Sequence, residues 1–99
     1  MATIKVTQDH QLDLATAKEK ARALMARMKE KFGGMIAETA WTADGARGTA
    51  SGKLFSAEFV VGERQVSLTV DLKGIGGRLL APKVESDSRR ILQKTFGTA

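Results

Sequence analysis

The sequence predicts an α+β domain in which two helices cover one face of an antiparallel sheet, in the order β-α-β-β-β-α. Three observations carry this reading. Apolar and polar residues alternate in short runs near 3–7 and 65–72, apolar residues recur at helical steps over 14–32, and turns rich in glycine separate the strands. A chain of 99 residues suits one domain spanning 1–99, with no linker, internal repeat or low-complexity segment.

Each element has its own signature. Ile4 and Val6 alternate with Thr3, Lys5 and Thr7, as in a half-buried strand. Asp13 is placed to cap a helix, because its carboxylate can accept from the first free N–H groups. Leu14, Ala17, Ala21, Leu24, Met25, Met28 and Phe32 then form one apolar stripe, and Gly33-Gly34 ends it. Met35 to Thr42 reads as a strand ending in Trp41, closed by an Ala43-Asp44-Gly45 turn. The stretch 46–61 reads as one strand, bent or bulged at Gly48 and Gly52, with Phe55, Ala57, Phe59 and Val61 facing the core. Gly62-Glu63 fits a two-residue turn with glycine first, after which Val66, Leu68, Val70 and Leu72 alternate with Gln65, Ser67, Thr69 and Asp71. Gly74 to Gly77 is expected as a loop, and Leu79 and Leu80 as a cover over the core. Pro82 is expected in the first turn of a second helix running to Phe96, with Val84, Ile91, Leu92 and Phe96 inward.

Composition removes several classes of chemistry. Without cysteine there are no disulfides or thiolate ligands, and the single His10 cannot build a histidine cluster, so no cofactor or metal is expected. A reducing, cytoplasmic setting fits. The opening Met-Ala-Thr-Ile-Lys-Val lacks the pattern of a signal peptide. No apolar run approaches the ~20 residues that cross a bilayer, so a soluble chain is expected.

Sixteen basic residues against eleven acidic ones leave a net charge of +5. Over 13–32 six basic residues face three acidic ones, over 82–96 four face two, and the remaining strands and loops balance at six of each sign. The whole net charge therefore belongs to the helices. Lys18, Arg22, Lys29, Arg89, Arg90 and Lys94 are the candidate surface-binding cations, and Trp41, beside a hairpin turn, is a candidate anchor for a partner. The plainer alternatives are that the cations solvate outward helix faces and that the indole caps the core. The open face of the sheet, with Lys5, Ser56, Glu58, Ser67, Thr69 and Asp71 beside Leu54 and Val60, is expected to be solvated or to support weak self-association.

No catalytic constellation stands out. Gly48-Thr49-Ala50-Ser51-Gly52-Lys53 imitates a phosphate loop, yet three residues separate its glycines where four are needed, and Leu54 stands where a hydroxyl would bind Mg²⁺. It also lies among strands, with no helix following. Gly74-Ile75-Gly76-Gly77 is too short for a dinucleotide fingerprint. His10, lacking a second histidine, reads as a structural or a surface residue.

The pattern as a whole resembles the polyhydroxyalkanoic acid system proteins, short bacterial proteins named from their occurrence alongside storage-polyester genes. The resemblance covers nearly the full chain. It rests on an opening strand followed by His10-x-Leu12 and an alanine-rich helix, Trp41 near Asp44-Gly45, Gly48 and Gly52, the strand Val66 to Leu72, and Gly77-Arg78-Leu79-Leu80-Ala81-Pro82 before a terminal helix. The segment 83–90 is more polar than that family's closing helix. The resemblance implies a non-enzymatic accessory or regulatory protein, associated with a protein or granule surface and distinct from a polymerase or depolymerase. Two further readings stand beside it. One is a small nucleic-acid-binding regulator using the basic helices, and the other is a ligand-binding domain with a pocket between helices and sheet, a space that Met25, Met28, Phe55 and Phe59 would largely fill.

Overall fold

A computed structural model describes residues 2–31, 36–73 and 76–97. The elements are β1 (Ala2–Asp9), α1 (Leu14–Lys31), β2 (Glu38–Trp41), β3 (Arg47–Ser51), β4 (Phe55–Val61), β5 (Gln65–Leu72) and α2 (Gly76–Phe96). The fold is α+β: five antiparallel strands form one sheet in the order β1-β5-β4-β3-β2, and both helices pack on one face of it. The first strand thus pairs with the last, and α1 carries the chain from one edge of the sheet to the other.

Parity explains the burial. Ile4 and Val6 of β1, Phe59 and Val61 of β4, and Val66, Val70 and Leu72 of β5 point to the helices, where Ala17, Ala21 and Leu24 of α1 and Leu92 and Phe96 of α2 meet them. Phe96 is 2% exposed and tilts against Phe59 with 6.0 Å between ring centroids. The alanines let α1 approach closely. Met25, Met28 and Phe55 pack around this centre as expected, while Phe32 and the stop at Gly33-Gly34 lie outside the described residues. Asp13 caps α1 as expected: its carbonyl accepts from the Ala17 N–H at 2.9 Å, and hydrogen bonding from the Thr16 side chain holds its carboxyl below the ordinary 3.8.

Several sequence expectations change. The stretch 46–61 is two strands: the Gly52 amide donates to the Phe55 carbonyl at 2.9 Å, closing a two-residue turn at Lys53-Leu54, so four strands separate the helices. Leu54 therefore sits at a turn, 60% exposed, and leaves the sheet face. The β4–β5 turn is centred one residue later, on Glu63-Arg64, because Gly62 donates to Gln65 at 2.8 Å and Val61 pairs with Val66. None of these residues has positive φ, so a glycine-first primed turn is not used. Gly62 is needed instead for close approach, since a Cβ there would stand 2.9 Å from the Gln65 carbonyl oxygen.

The second helix also starts earlier than Pro82. It begins at Gly76, taking in Gly76 and Gly77, which were expected in a loop. Pro82 then lies inside the helix, where it has no N–H to give to the preceding turn. Leu79 is 84% exposed and does not cover the core; Gly74, Ile75 and the Leu80 side chain lie outside the described residues. The polar segment 83–90 packs because Ser88, 9% exposed, takes an inward position between Val84 and Leu92. A small side chain there admits the helix to the sheet.

Candidate functional site

The expected candidates fall into two groups at opposite ends of the sheet. α2, with Arg89, Arg90 and Lys94, lies chiefly over edge strand β1, whereas Trp41 is on the other edge, β2. Lys18 and Arg22 of α1 reach the Trp41 end.

That corner is assembled by the β2–β3 hairpin. Thr42 and Arg47 close the loop, with the Thr42 N–H donating to the Arg47 carbonyl at 2.9 Å, and Gly45 takes the left-handed conformation at φ 72°. Asp44 organises the tip by accepting from the Thr42 hydroxyl at 2.6 Å and the Ala46 N–H at 3.1 Å. The Thr42 hydroxyl, the Ala46 amide and the nearby Lys18 charge hold the Asp44 carboxyl below its ordinary 3.8.

Trp41 stands directly across from Gly48, and the indole lies over that glycine: a Cβ at Gly48 would meet ring atoms at 2.7–2.8 Å. The other contact comes from the helix. The Arg22 guanidinium lies 5.9 Å from the ring centroid, a cation–π arrangement, and Arg22 and the Lys18 stem also rest against Gly45. Trp41 is half-buried against the core cluster, so it closes the core's edge as it presents one side of the corner.

Charge pairing separates the groups further. Among the described residues the ion pairs are Arg47–Glu58, Arg89–Glu85 and Arg90–Asp87, and α1 takes part in none. Lys18, Arg22 and Lys29 share one flank of α1, since steps of four and seven residues return to the same side of a helix. Glu19 and Glu30 occupy the exposed outer ridge beside that flank. On the far flank Lys20 donates to the Thr95 carbonyl at 3.3 Å, tying α1 to the last turn of α2. Over the observed helix bounds the two helices carry eleven basic and four acidic side chains, and the strands and loops five and seven.

His10 is structural. It is 5% exposed; its Nδ1 accepts from the Leu12 N–H at 3.2 Å, and Nε2 lies 2.8 Å from the Gly62 carbonyl, which selects the Nε2-protonated neutral ring. It joins the end of β1 to the β4–β5 turn. Two surface depressions lie beside His10 and on the open sheet face.

Sequence reasoning missed two features of these surfaces. The seating of Trp41 on Gly48 depends on hairpin register, which the Asp44-Gly45 turn signal fixes once its loop length is known. Thr49 and Ser51 join the open face only when 46–61 is divided, because the turn at Lys53-Leu54 must be placed before side-chain parity can be followed. Among the described residues no helix is long and apolar enough to cross a membrane.

Neither the curated proteins nor the solved structures contain a match to this chain. A family model described as "Putative polyhydroxyalkanoic acid system protein" matches residues 4–96, from Ile4 in β1 to Phe96 at the end of α2, and the chain belongs to that family.

Proposed function

We propose that the protein is a non-enzymatic accessory or regulatory component of the polyhydroxyalkanoate system that docks onto a protein or granule surface in the bacterial cytoplasm. The docking surface is the cationic flank of α1 together with the Trp41 corner. The observation that supports this best is the meeting of Arg22 with Trp41, with Lys18 beside Arg22 against Gly45, both cations outside every ion pair described above, next to an indole already backed by Gly48. Arginine and tryptophan are the residue types that most often anchor interfaces, and a group already held in place loses little freedom on binding.

A nucleic-acid partner is less well supported. Phosphates approaching α1 would meet Glu19 and Glu30 on its outer ridge, and Phe59 and Phe96 are buried, unable to stack on bases. A fluorescent fusion in polyester-accumulating cells tests the proposal. It should gather at granules and recover granule proteins on pull-down. A diffuse fusion that recovers none would overturn the reading, and salt-sensitive binding to mixed DNA and RNA in its place would favour the nucleic-acid alternative.

A further inference from the structure

We infer that the open face of the sheet binds the polyester chain itself, through hydroxyl groups that the fold leaves unspent. The inference rests on the storage-polyester role proposed above but uses a different surface from the α1 corner. By strand parity and register, Thr7, Thr49, Ser51, Ser56, Ser67 and Thr69 all point away from the helices. Thr7 pairs with Ser67, Ser51 pairs with Ser56, and Glu58 stands between Thr49 and Thr69. Thr3 on the same face donates to Asp71 at 2.6 Å, but none of the six makes a side-chain hydrogen bond among the described residues. Neighbouring strands are ~4.8 Å apart and same-face residues along a strand ~6.8 Å apart, so these hydroxyls form a grid of donors.

The chemistry of the grid selects its ligand. A polyester offers ester oxygens that only accept hydrogen bonds, and it has neither charges nor donors, so its complement is a donor-rich surface without a strong net field. Four strands supply that here. Lys5 and Arg47 are set against Glu38, Glu58 and Asp71 on this face, and Arg47 is paired with Glu58 at 3.9 Å, so no positive field favours a polyanion. Val60 and Ala40 add small apolar contacts for alkyl groups. A shallow depression of about 370 Å³, lined by Thr49, Ser51, Ser56, Glu58, Thr69 and Asp71, gives the chain a place to lie. With the helices holding a charged partner on the opposite face, the protein would bridge polymer and protein.

Sedimentation with protein-free amorphous polyhydroxyalkanoate particles at high salt tests this, because the salt suppresses contacts made by α1. Wild type should bind. The double variant Thr49→Val/Thr69→Val keeps the shape and strand preference of both residues but removes two donors, and should bind about ten-fold more weakly. Arg89→Glu/Arg90→Glu, on α2 and outside both proposed surfaces, should bind as wild type, and circular dichroism of each variant confirms that it folds. A valine variant that binds as well as wild type, or better, overturns the inference, and so does wild type that ignores bare polymer. In that last case a fusion still gathering on granules in cells would leave the docking proposal standing.

Discussion

The two faces of the sheet are made by the same strands and differ in almost every physical respect. On the helical side Val6, Val66, Leu92 and Phe96 are fully buried, and each position is constrained by several neighbours at once. On the open side residues of opposite parity are half-buried or exposed, and their few bonds, such as Thr3 to Asp71 and Gln65 to Asp9, link adjacent strands only. Packing therefore dictates one face and leaves the other free to be chosen for contact with something else. The edges differ in the same way: α2 lies over β1, while β2 is held by an indole on a glycine and an arginine from α1.

If packing governs only one face, mutations should separate accordingly. The largest expected effect is at the centre of the helical side. Leu92→Ala or Phe96→Ala should cost about 3–5 kcal/mol in denaturant unfolding, because each leaves a cavity among buried neighbours. Thr69→Ala on the open side should stay within about 0.5 kcal/mol, and a loss there comparable to Leu92→Ala would break the contrast.

Next comes the β2 edge. Gly48→Val should cost about 1–3 kcal/mol by driving the Trp41 ring from its seat, with an accompanying change in tryptophan fluorescence. Combining it with Trp41→Ala should recover part of that cost, and strict additivity of the two would show that ring and glycine are not coupled. At the opposite end, His10→Ala removes the partner of the Leu12 amide and of the Gly62 carbonyl and should cost a similar 1–3 kcal/mol. The smallest effect is electrostatic. Folding holds the Asp44 carboxyl below its ordinary 3.8, so its stabilisation is complete above that pH and is lost as pH falls through the lower folded value. Asp44→Asn should lower the melting temperature slightly at neutral pH and converge with wild type in acid, so that the acid limb of a pH series is flattened.

Local rules made most of the helical face legible in the sequence. The stripe from Leu14 to Met28 and the alternation from Val66 to Leu72 are periodic signals, and they survive because burial enforces them. The misreadings share a cause. Lys53-Leu54 carries no turn signature, so Gly52 looked like a bulge, and Pro82 looked like a helix start although tertiary packing carries α2 through it from Gly76. The polar segment 83–90 hides the inward Ser88, because periodicity does not distinguish a small polar residue facing the sheet from one facing water. For the candidate site, charge counting found the helical layer, but the meeting of Arg22 with Trp41 depends on how α1 crosses the sheet, a tertiary relation with no local signal. In-helix neutralisation of Arg89 and Arg90 was readable from their spacing to Glu85 and Asp87.

The central claim is that the flank of α1, and not the whole basic surface, makes the docking contact. Co-sedimentation with native granules that retain their surface proteins tests it most directly, using a Lys18→Glu/Arg22→Glu/Lys29→Glu variant beside an Arg89→Glu/Arg90→Glu variant. The account predicts that wild type and the α2 variant bind with a salt-sensitive component and that the α1 variant, still folded, loses that component. An α1 variant that sediments like wild type at low salt, or an α2 variant that fails equally, would contradict it.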